Sequence, residues 1–287
     1  MMSLQTTSTA AVLLALAAGA AEAQLEAPLR AQPEPTLRTQ PEPTLRVEPD
    51  LPLRATLELL GAHSHLNAGL PQGRAANARG TWVFGNGDVA RAEVLDETKF
   101  DSHGGIVAAG YTRVLTPDWI LAGTLAAGHG GPNWANQRAD VELSTKWGEG
   151  GWVLTRAALY HARFDAGRSD QGLRLSAVAY LPASVVLEGG VIANRSQPGG
   201  VRSDMWFASG TWGTEGVQYA SLRASSGSEA YQAIGAGSQL VDFRSRSLAL
   251  SWRYWLGRPW GFIAQAEHYR NPFYVRNTLG VGLFVQW

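Results

Sequence analysis

Residues 275–287 alternate. The odd positions read Val275, Asn277, Leu279, Val281, Leu283, Val285 and Trp287; the even positions read Arg276, Thr278, Gly280, Gly282, Phe284 and Gln286. Successive side chains of a strand point to opposite faces, so a repeat of two separates an oily face from a polar or small one. The oily face runs to the last residue and ends in an aromatic ring. This segment is a strand with one side for hydrocarbon and one for water.

The last strand of a bacterial outer-membrane barrel has this form, with its aromatic end at the periplasmic rim. Leu279, Val281, Leu283, Val285 and Trp287 are then the expected signal to the barrel-assembly machinery. The rest of the chain supports that direction. Cysteine is absent, which excludes disulfides and thiolate metal sites. The 24 basic and 24 acidic residues balance, so no global field favours nucleic acid. Many glycines (33) beside few charged residues (17%) suit strands and turns better than long solvated helices.

Residues 1–23 read as an export signal. Residues 10–21 form an Ala/Leu-rich apolar core, and Ala21-Glu22-Ala23 has the small-x-small form of a cleavage site, although residues 1–9 carry no Lys or Arg. No other stretch is long and apolar enough for a membrane helix. A membrane protein without such helices must close its backbone hydrogen bonds in a barrel. The expected localisation is the outer membrane of a Gram-negative bacterium.

Residues 24–54 hold three octapeptides in tandem, at 31–38, 39–46 and 47–54, each ending in arginine (Arg38, Arg46, Arg54). Proline at this density favours extended polyproline II over helix or sheet. The segment reads as a periplasmic linker, either a plain spacer or a tether that finds a partner.

Residues 55–287 read as the barrel. Short turn signals sit at Gly85-Asn86-Gly87-Asp88, Thr116-Pro117-Asp118, 148–151, Pro182-Ala183, 213–216 and Gly257-Arg258-Pro259. A second, often longer set alternates with them at 67–74, 101–104, 129–137, 165–170, 196–203, 225–237 and 270–274. Tight turns on one side and loops on the other are the hairpin pattern of an outer-membrane barrel. The count is about 14 strands, within 12–16, in an antiparallel up-and-down order. Residues 238–256 are long enough to bend or split. Trp82, Trp119, Trp147, Trp152, Trp212, Trp255, Trp260 and Trp287 fall near the short-turn rim. Phe100, Trp134, Phe164, Tyr231, Tyr269 and Phe273 fall at the opposite end. Two aromatic bands are expected at the membrane interfaces.

Alternation also predicts the lumen. Arg79, Arg91, Glu93, Arg138, Asp140, Glu142, Lys146, Arg174, Glu188, Arg253 and Arg276 are expected to point inward. They either pair to hold the wall or line a hydrated channel, and the loops 129–137 and 225–237 are candidates to fold inside. No catalytic motif appears. His63-Ser64-His65 puts the serine on the face opposite both histidines, and Gly128-His129-Gly130-Gly131 lacks the Gly-Lys-Ser/Thr of a phosphate loop. No metal site and no cofactor are expected.

Stretches 81–100, 106–119 with its Leu-Thr-Pro-Asp-Trp turn, and Gly131-Pro132-Asn133-Trp134 leading to Lys146-Trp147 resemble the YaiO family of outer-membrane barrels. Residues 151–164, and 242–248 followed by 252–255, add to the resemblance. It implies no catalytic residues and no enzyme activity. It implies an outer-membrane exit for a secreted polysaccharide, alone or with a periplasmic polysaccharide-export protein as partner. Some relatives carry helical repeats where this chain has its Pro-rich linker. The expected partners are outer-membrane lipid, the assembly machinery and a glycan polymer. A general small-solute porin and a structural or adhesive barrel with a plugged lumen remain the alternatives.

Overall fold

A computed structural model describes residues 55–235 and 238–287. The expected signal peptide (1–23) and linker (24–54) lie outside the described residues. Fourteen antiparallel strands close one barrel. The first seven are β1 Ala55–Leu66, β2 Gly73–Val83, β3 Val89–Lys99, β4 Ser102–Val114, β5 Trp119–His129, β6 Gln137–Trp147 and β7 Val153–Arg163. The others are β8 Ser169–Leu181, β9 Val185–Gln197, β10 Val201–Thr214, β11 Gln218–Gly235, β12 Ser238–Gly257, β13 Trp260–Arg270 and β14 Val275–Gln286.

Each strand pairs with its neighbours in sequence, and β1 pairs with β14 from Thr56↔Gln286 to Leu66↔Arg276. The seam closes where the Ala55 N–H donates to the Trp287 carbonyl at 2.9 Å and the Trp287 N–H donates back at 3.1 Å. Closure leaves no sheet edge, which lipid demands because it offers backbone groups no partner.

The faces are inverted relative to a water-soluble protein. Leu125, Leu159, Leu279 and Val281 are 68, 64, 68 and 71% exposed on the outside. Glu58, Arg138, Arg174 and Glu267 are buried inside. An oily exterior around a charged interior is stable in hydrocarbon and not in water, so the barrel spans a membrane.

The two ends differ. Both ends of the barrel sequence, Ala55 and Trp287, meet at what is called here the terminal rim; the opposite end is the distal rim. All six expected short turns lie between strands at the terminal rim. At the distal rim one expectation fails. Of the expected loop 225–237, the described residues 225–235 are strand: β11 (18 residues) and β12 (20 residues) pair up to Gly235↔Ser238. The hairpin exceeds the 11-residue strands by seven residues or more, roughly 23 Å at about 3.3 Å per residue. Ser225, Ser226, Gly227 and Ser228 look like loop residues. Beyond the lipid both faces of a hairpin are wet, so the ladder continues without oily alternation. Likewise β12 is one continuous strand, neither bent into two nor split.

The aromatic bands also differ. At the terminal rim Trp82, Trp119, Trp147, Trp152, Trp212, Trp260 and Trp287 point outward, 44–56% exposed. Trp255 is the exception and points inward. At the distal rim Phe100, Trp134, Phe164 and Tyr269 are buried within the barrel mouth rather than set against lipid, whereas Phe273 is exposed and Tyr231 half-buried.

Candidate functional site

The lumen is the concave, charged part of the molecule. The structure turns all of the expected lumen residues inward. Arg79, Glu93, Arg138, Asp140, Glu142, Arg174, Glu188, Arg253 and Arg276 are buried there; Arg91 and Lys146 are half-buried on the same face. Lys146 stands at the terminal rim, where its Nζ donates to the Pro117 carbonyl at 2.8 Å.

These charges pair within strands, between neighbouring strands and over intervening ones. Arg79 on β2 donates to Glu93 on β3 at 3.1 Å. Glu188 on β9 accepts from Arg174 on β8 at 3.1 Å and from Arg156 on β7 at 3.4 Å. Arg156 also lies 4.0 Å from Glu142 on β6, so one network crosses four strands. Arg138 Nε donates to Asp140 at 2.7 Å along β6. Arg276 and Glu267 join β14 to β13 at 3.1 Å, and Arg253 donates to Glu58 on β1. Glu58, Arg156, Arg223 and Glu267 were absent from the sequence expectation. Their signal was parity: Leu57 and Leu59 face out on either side of Glu58, and Glu267 shares a face with Gln265.

A second feature has no signature in the alternation. Three lumen rings lie against the wall over a glycine. A Cβ at Gly172 would stand 2.4 Å from the Tyr160 hydroxyl, one at Gly190 2.7 Å from Phe207, and one at Gly261 2.6 Å from Phe284. The missing side chains let each ring lie flat. Each ring then carries a guanidinium on its inner side: Arg138 at 4.9 Å from Tyr160, Arg223 at 4.2 Å from Phe207, and Arg253 at 4.2 Å from Phe284. Cation–π contact of this kind stabilises by about 0.5–2 kcal/mol. The layers run glycine, ring, guanidinium from wall to lumen.

Apolar clusters bound this charged belt at both ends. Toward the terminal rim Leu60, Tyr219, Trp255, Ile263 and Phe284 pack together, and Ile120, Leu154, Val178 and Val186 form a second patch. At the distal mouth Leu66, Phe100, Leu240, Phe243, Tyr269 and Tyr274 pack together. The β11–β12 hairpin is tied into that lid. Tyr269 donates to Glu229 at 2.7 Å, the Gln232 amide donates to the Tyr274 hydroxyl at 2.5 Å, and Tyr231 donates to the Pro198 carbonyl at 2.5 Å. Tyr274 lies in the loop before β14, where burial raises its hydroxyl to a pKa of about 12.

The 129–137 segment enters the mouth as well. Trp134 is fully buried, donates its indole N–H to Glu97 at 3.3 Å, and lies under Lys99 at 5.3 Å. Gly104 makes room for it: a Cβ there would sit 2.6 Å from the indole and 2.3 Å from the His129 carbonyl. Arg168 fixes the loop from the adjacent β7–β8 loop by donating to the Pro132 carbonyl at 2.8 Å.

Hydrogen-bonding capacity remains inside. Glu58 Oε2, Glu142 Oε2, Gln265 Oε1 and Ser176 Oγ are buried without a protein partner among the described residues. Such atoms cost about 1–3 kcal/mol each unless water or a polar ligand meets them. The arrangement can therefore hold water, or hydroxyl-rich solutes, against a wall of fixed charges.

The candidates for covalent chemistry stand apart. His63 and His65 face outward, while Ser64 faces inward and bonds Thr278 at 2.8 Å. Among the described residues no group of three or more potential metal ligands occurs.

Comparison with known proteins places the barrel. A family model described as the YaiO membrane beta barrel domain matches residues 56–232. No curated protein sequence matches the chain. Among solved structures, a protein titled bacterial polysaccharide outer membrane secretin is similar at TM-score 0.54 and 10% identity, over 83% of this chain and all of that one. Omp33 of Acinetobacter baumannii is similar at TM-score 0.49 and 13% identity, over 82% of this chain and 99% of that one. An anion-selective porin from Comamonas acidovorans is similar at TM-score 0.48 and 8% identity, over 82% and 99%.

Proposed function

From the premise that this chain belongs to the YaiO membrane β-barrel family, and so to the outer membrane, we propose that it is a channel component through which a secreted polysaccharide leaves the cell. The terminal rim faces the periplasm, where the Pro-rich linker reaches a periplasmic polysaccharide-export protein. The distal rim faces the medium. The assembly machinery takes up the chain by β14.

The observation that carries this reading is the layered wall. Rings laid over Gly172, Gly190 and Gly261 leave room for guanidiniums above them, which present donors at fixed positions. Sugar hydroxyls exchange readily among such donors and the free carboxylate oxygens of Glu58 and Glu142. Paired charges of both signs keep any one contact weak, so a neutral or mixed polymer slides rather than sticks. No covalent step is involved. The fold shared with a polysaccharide outer membrane secretin is consistent with this role.

A second reading, a barrel permanently plugged for structural or adhesive use, is favoured by the packed aromatic lid at the distal mouth. In the export reading that lid is the idle gate.

The test is polysaccharide measured at the cell surface and in the periplasm, with and without the gene. Loss from the surface with accumulation inside is expected. Unchanged glycan in both fractions overturns the export role. Single-channel conductance of the purified barrel then separates an open porin from a plugged one.

A further inference from the structure

The outer surface of β9–β13 near the distal rim carries a charge pattern that barrel folding alone does not require. The register sets Arg202 directly against Arg195 and Arg246 directly against Arg270, and all four side chains are exposed on the lipid-side face. Like charges opposed on neighbouring strands repel. Arg244 stands one outward step beyond Arg246. None of these five arginines forms an ion pair among the described residues. The acids on this face are Asp204 and Asp242, two against five.

Neighbouring positions complete a binding surface. One row across adjacent strands reads Trp206, Ser226, Arg246, Arg270, each about 4.8 Å from the next. It sets an exposed indole, a hydroxyl and two guanidiniums side by side. The next row toward the terminal rim reads Gly189, Ala208, Ala224, Leu248, about 7 Å lower on the wall. From Ala224 across β10, β9 and β8 to Val153 on β7, the small side chains leave a shallow hollow of about 730 Å³, open to the lipid and framed by Leu187 and Leu222. Cationic donors above an apolar hollow, in that order of depth, match a lipid with an anionic headgroup. Guanidinium forks fit phosphate in particular.

We propose that this face binds a phosphorylated glycolipid of the outer leaflet, with Arg246 and Arg270 on its phosphate and an acyl chain in the hollow at Ala208. The proposal rests on the orientation given above, with the distal rim outward.

The test uses the full chain, purified and inserted in bilayers that contain lipopolysaccharide, its dephosphorylated form or phosphatidylethanolamine. Lipid retained by the protein is read by native mass spectrometry. Arg246→Glu with Arg270→Glu is expected to lower retention of the phosphorylated form at least tenfold. Ala208→Leu, which narrows the hollow next to the arginines and leaves the charges, is expected to lower it several-fold. Both variants are checked for the folded barrel's heat-dependent migration on gels. Unchanged retention in both folded variants, or equal retention of the dephosphorylated form, overturns the site. Competition by inorganic phosphate as strong as by lipopolysaccharide would reduce it to a free-anion patch and also overturn it. A cysteine at Gln72→Cys, probed on intact cells with an impermeant maleimide, tests orientation separately. Labelling is expected; its absence overturns the outer-leaflet assignment. Because binding is read on purified protein, loss of the export role leaves this result standing.

Discussion

The terminal and distal rims carry the same residue types and use them in opposite ways. Seven tryptophans at the terminal rim turn outward to the membrane interface. At the distal rim Trp134, Phe100 and Tyr269 turn inward and pack over the lumen. One set faces lipid, and the other packs inside the barrel mouth. An aromatic residue near a strand end therefore does not announce its role; the direction of its side chain does.

Trp134→Ala should have the largest effect. It removes a fully buried indole that holds the 129–137 loop to Gly104, Lys99 and Glu97. A loss of about 3–5 kcal/mol is expected for a large buried aromatic, together with a rise in single-channel conductance as the loop leaves the mouth. Gly104→Val should reproduce the conductance change by denying the indole its seat. A variant that is destabilised with unchanged conductance would make Trp134 mere packing and erase the distinction between the rims.

Tyr269→Phe acts on the same lid from the other side. It removes the hydrogen bond to Glu229, a side chain with no exposed surface, and the bond that the Asn271 amide donates to the Tyr269 hydroxyl at 3.1 Å. The expected cost is about 1–3 kcal/mol, with more frequent channel openings and faster hydrogen exchange confined to β11, β12 and the loop before β14. Exchange that rises equally at the terminal rim would show that the lid is not a separate unit.

The terminal rim was legible because period-two alternation reaches it unbroken. The strand from Val275 to Gln286 ends there, and its odd residues face lipid as read from the sequence. Part of the distal mouth was legible too, but parity had to be followed further than the rim aromatics suggested. Tyr269 shares its face with Gln265 and Glu267, and Trp255 shares its face with Ser251 and Arg253, so both point inward by the same rule that placed the charges. Phe100 and Trp134 are different. Phe100 and Asp101 form a turn with φ of 51° and 60°, and Trp134 lies in a loop. Alternation does not extend through such segments. For Trp134 the direction depends on Gly104 of the neighbouring β4, where a side chain would occupy the indole's seat. The rings over Gly172, Gly190 and Gly261 depend in the same way on a glycine directly opposite on the adjacent strand, which only the register reveals.

Trp147→Ala at the terminal rim should give a smaller response. The ring is 55% exposed and donates its N–H to Thr155 at 2.8 Å. Losing that bond costs about 1 kcal/mol. Folding yield into bilayers should fall slightly and conductance should not change. A conductance change as large as that of Trp134→Ala would mean that the terminal rim also gates.

The smallest effect concerns a polar clasp at the terminal rim, and pH isolates it. Asp88, in the turn between β2 and β3, accepts from the Tyr111 hydroxyl at 2.6 Å, the Asn86 amide at 2.9 Å and the Val114 N–H at 3.3 Å. Burial pushes the carboxyl upward, but these bonds and the nearby Arg113 together hold it below the ordinary aspartate value. A carboxyl lowered in the folded state binds its proton more readily when unfolded. Its stabilising contribution is therefore present above the ordinary aspartate range and is lost as pH falls through the lowered value. Asp88→Asn should cost about 1 kcal/mol at neutral pH. The gap between variant and parent in urea unfolding should close in acid, below the usual carboxylate range. The distal lid is held chiefly by packing, with the Tyr274 hydroxyl protonated throughout that window and single bonds to the Glu229 and Glu97 carboxylates beside it. Trp134→Ala should accordingly keep most of its deficit across the same pH change, losing only the share of the long bond to Glu97. A constant gap for Asp88→Asn would mean that shape, not charge, fastens this turn, and the two rims would then share one kind of fastening.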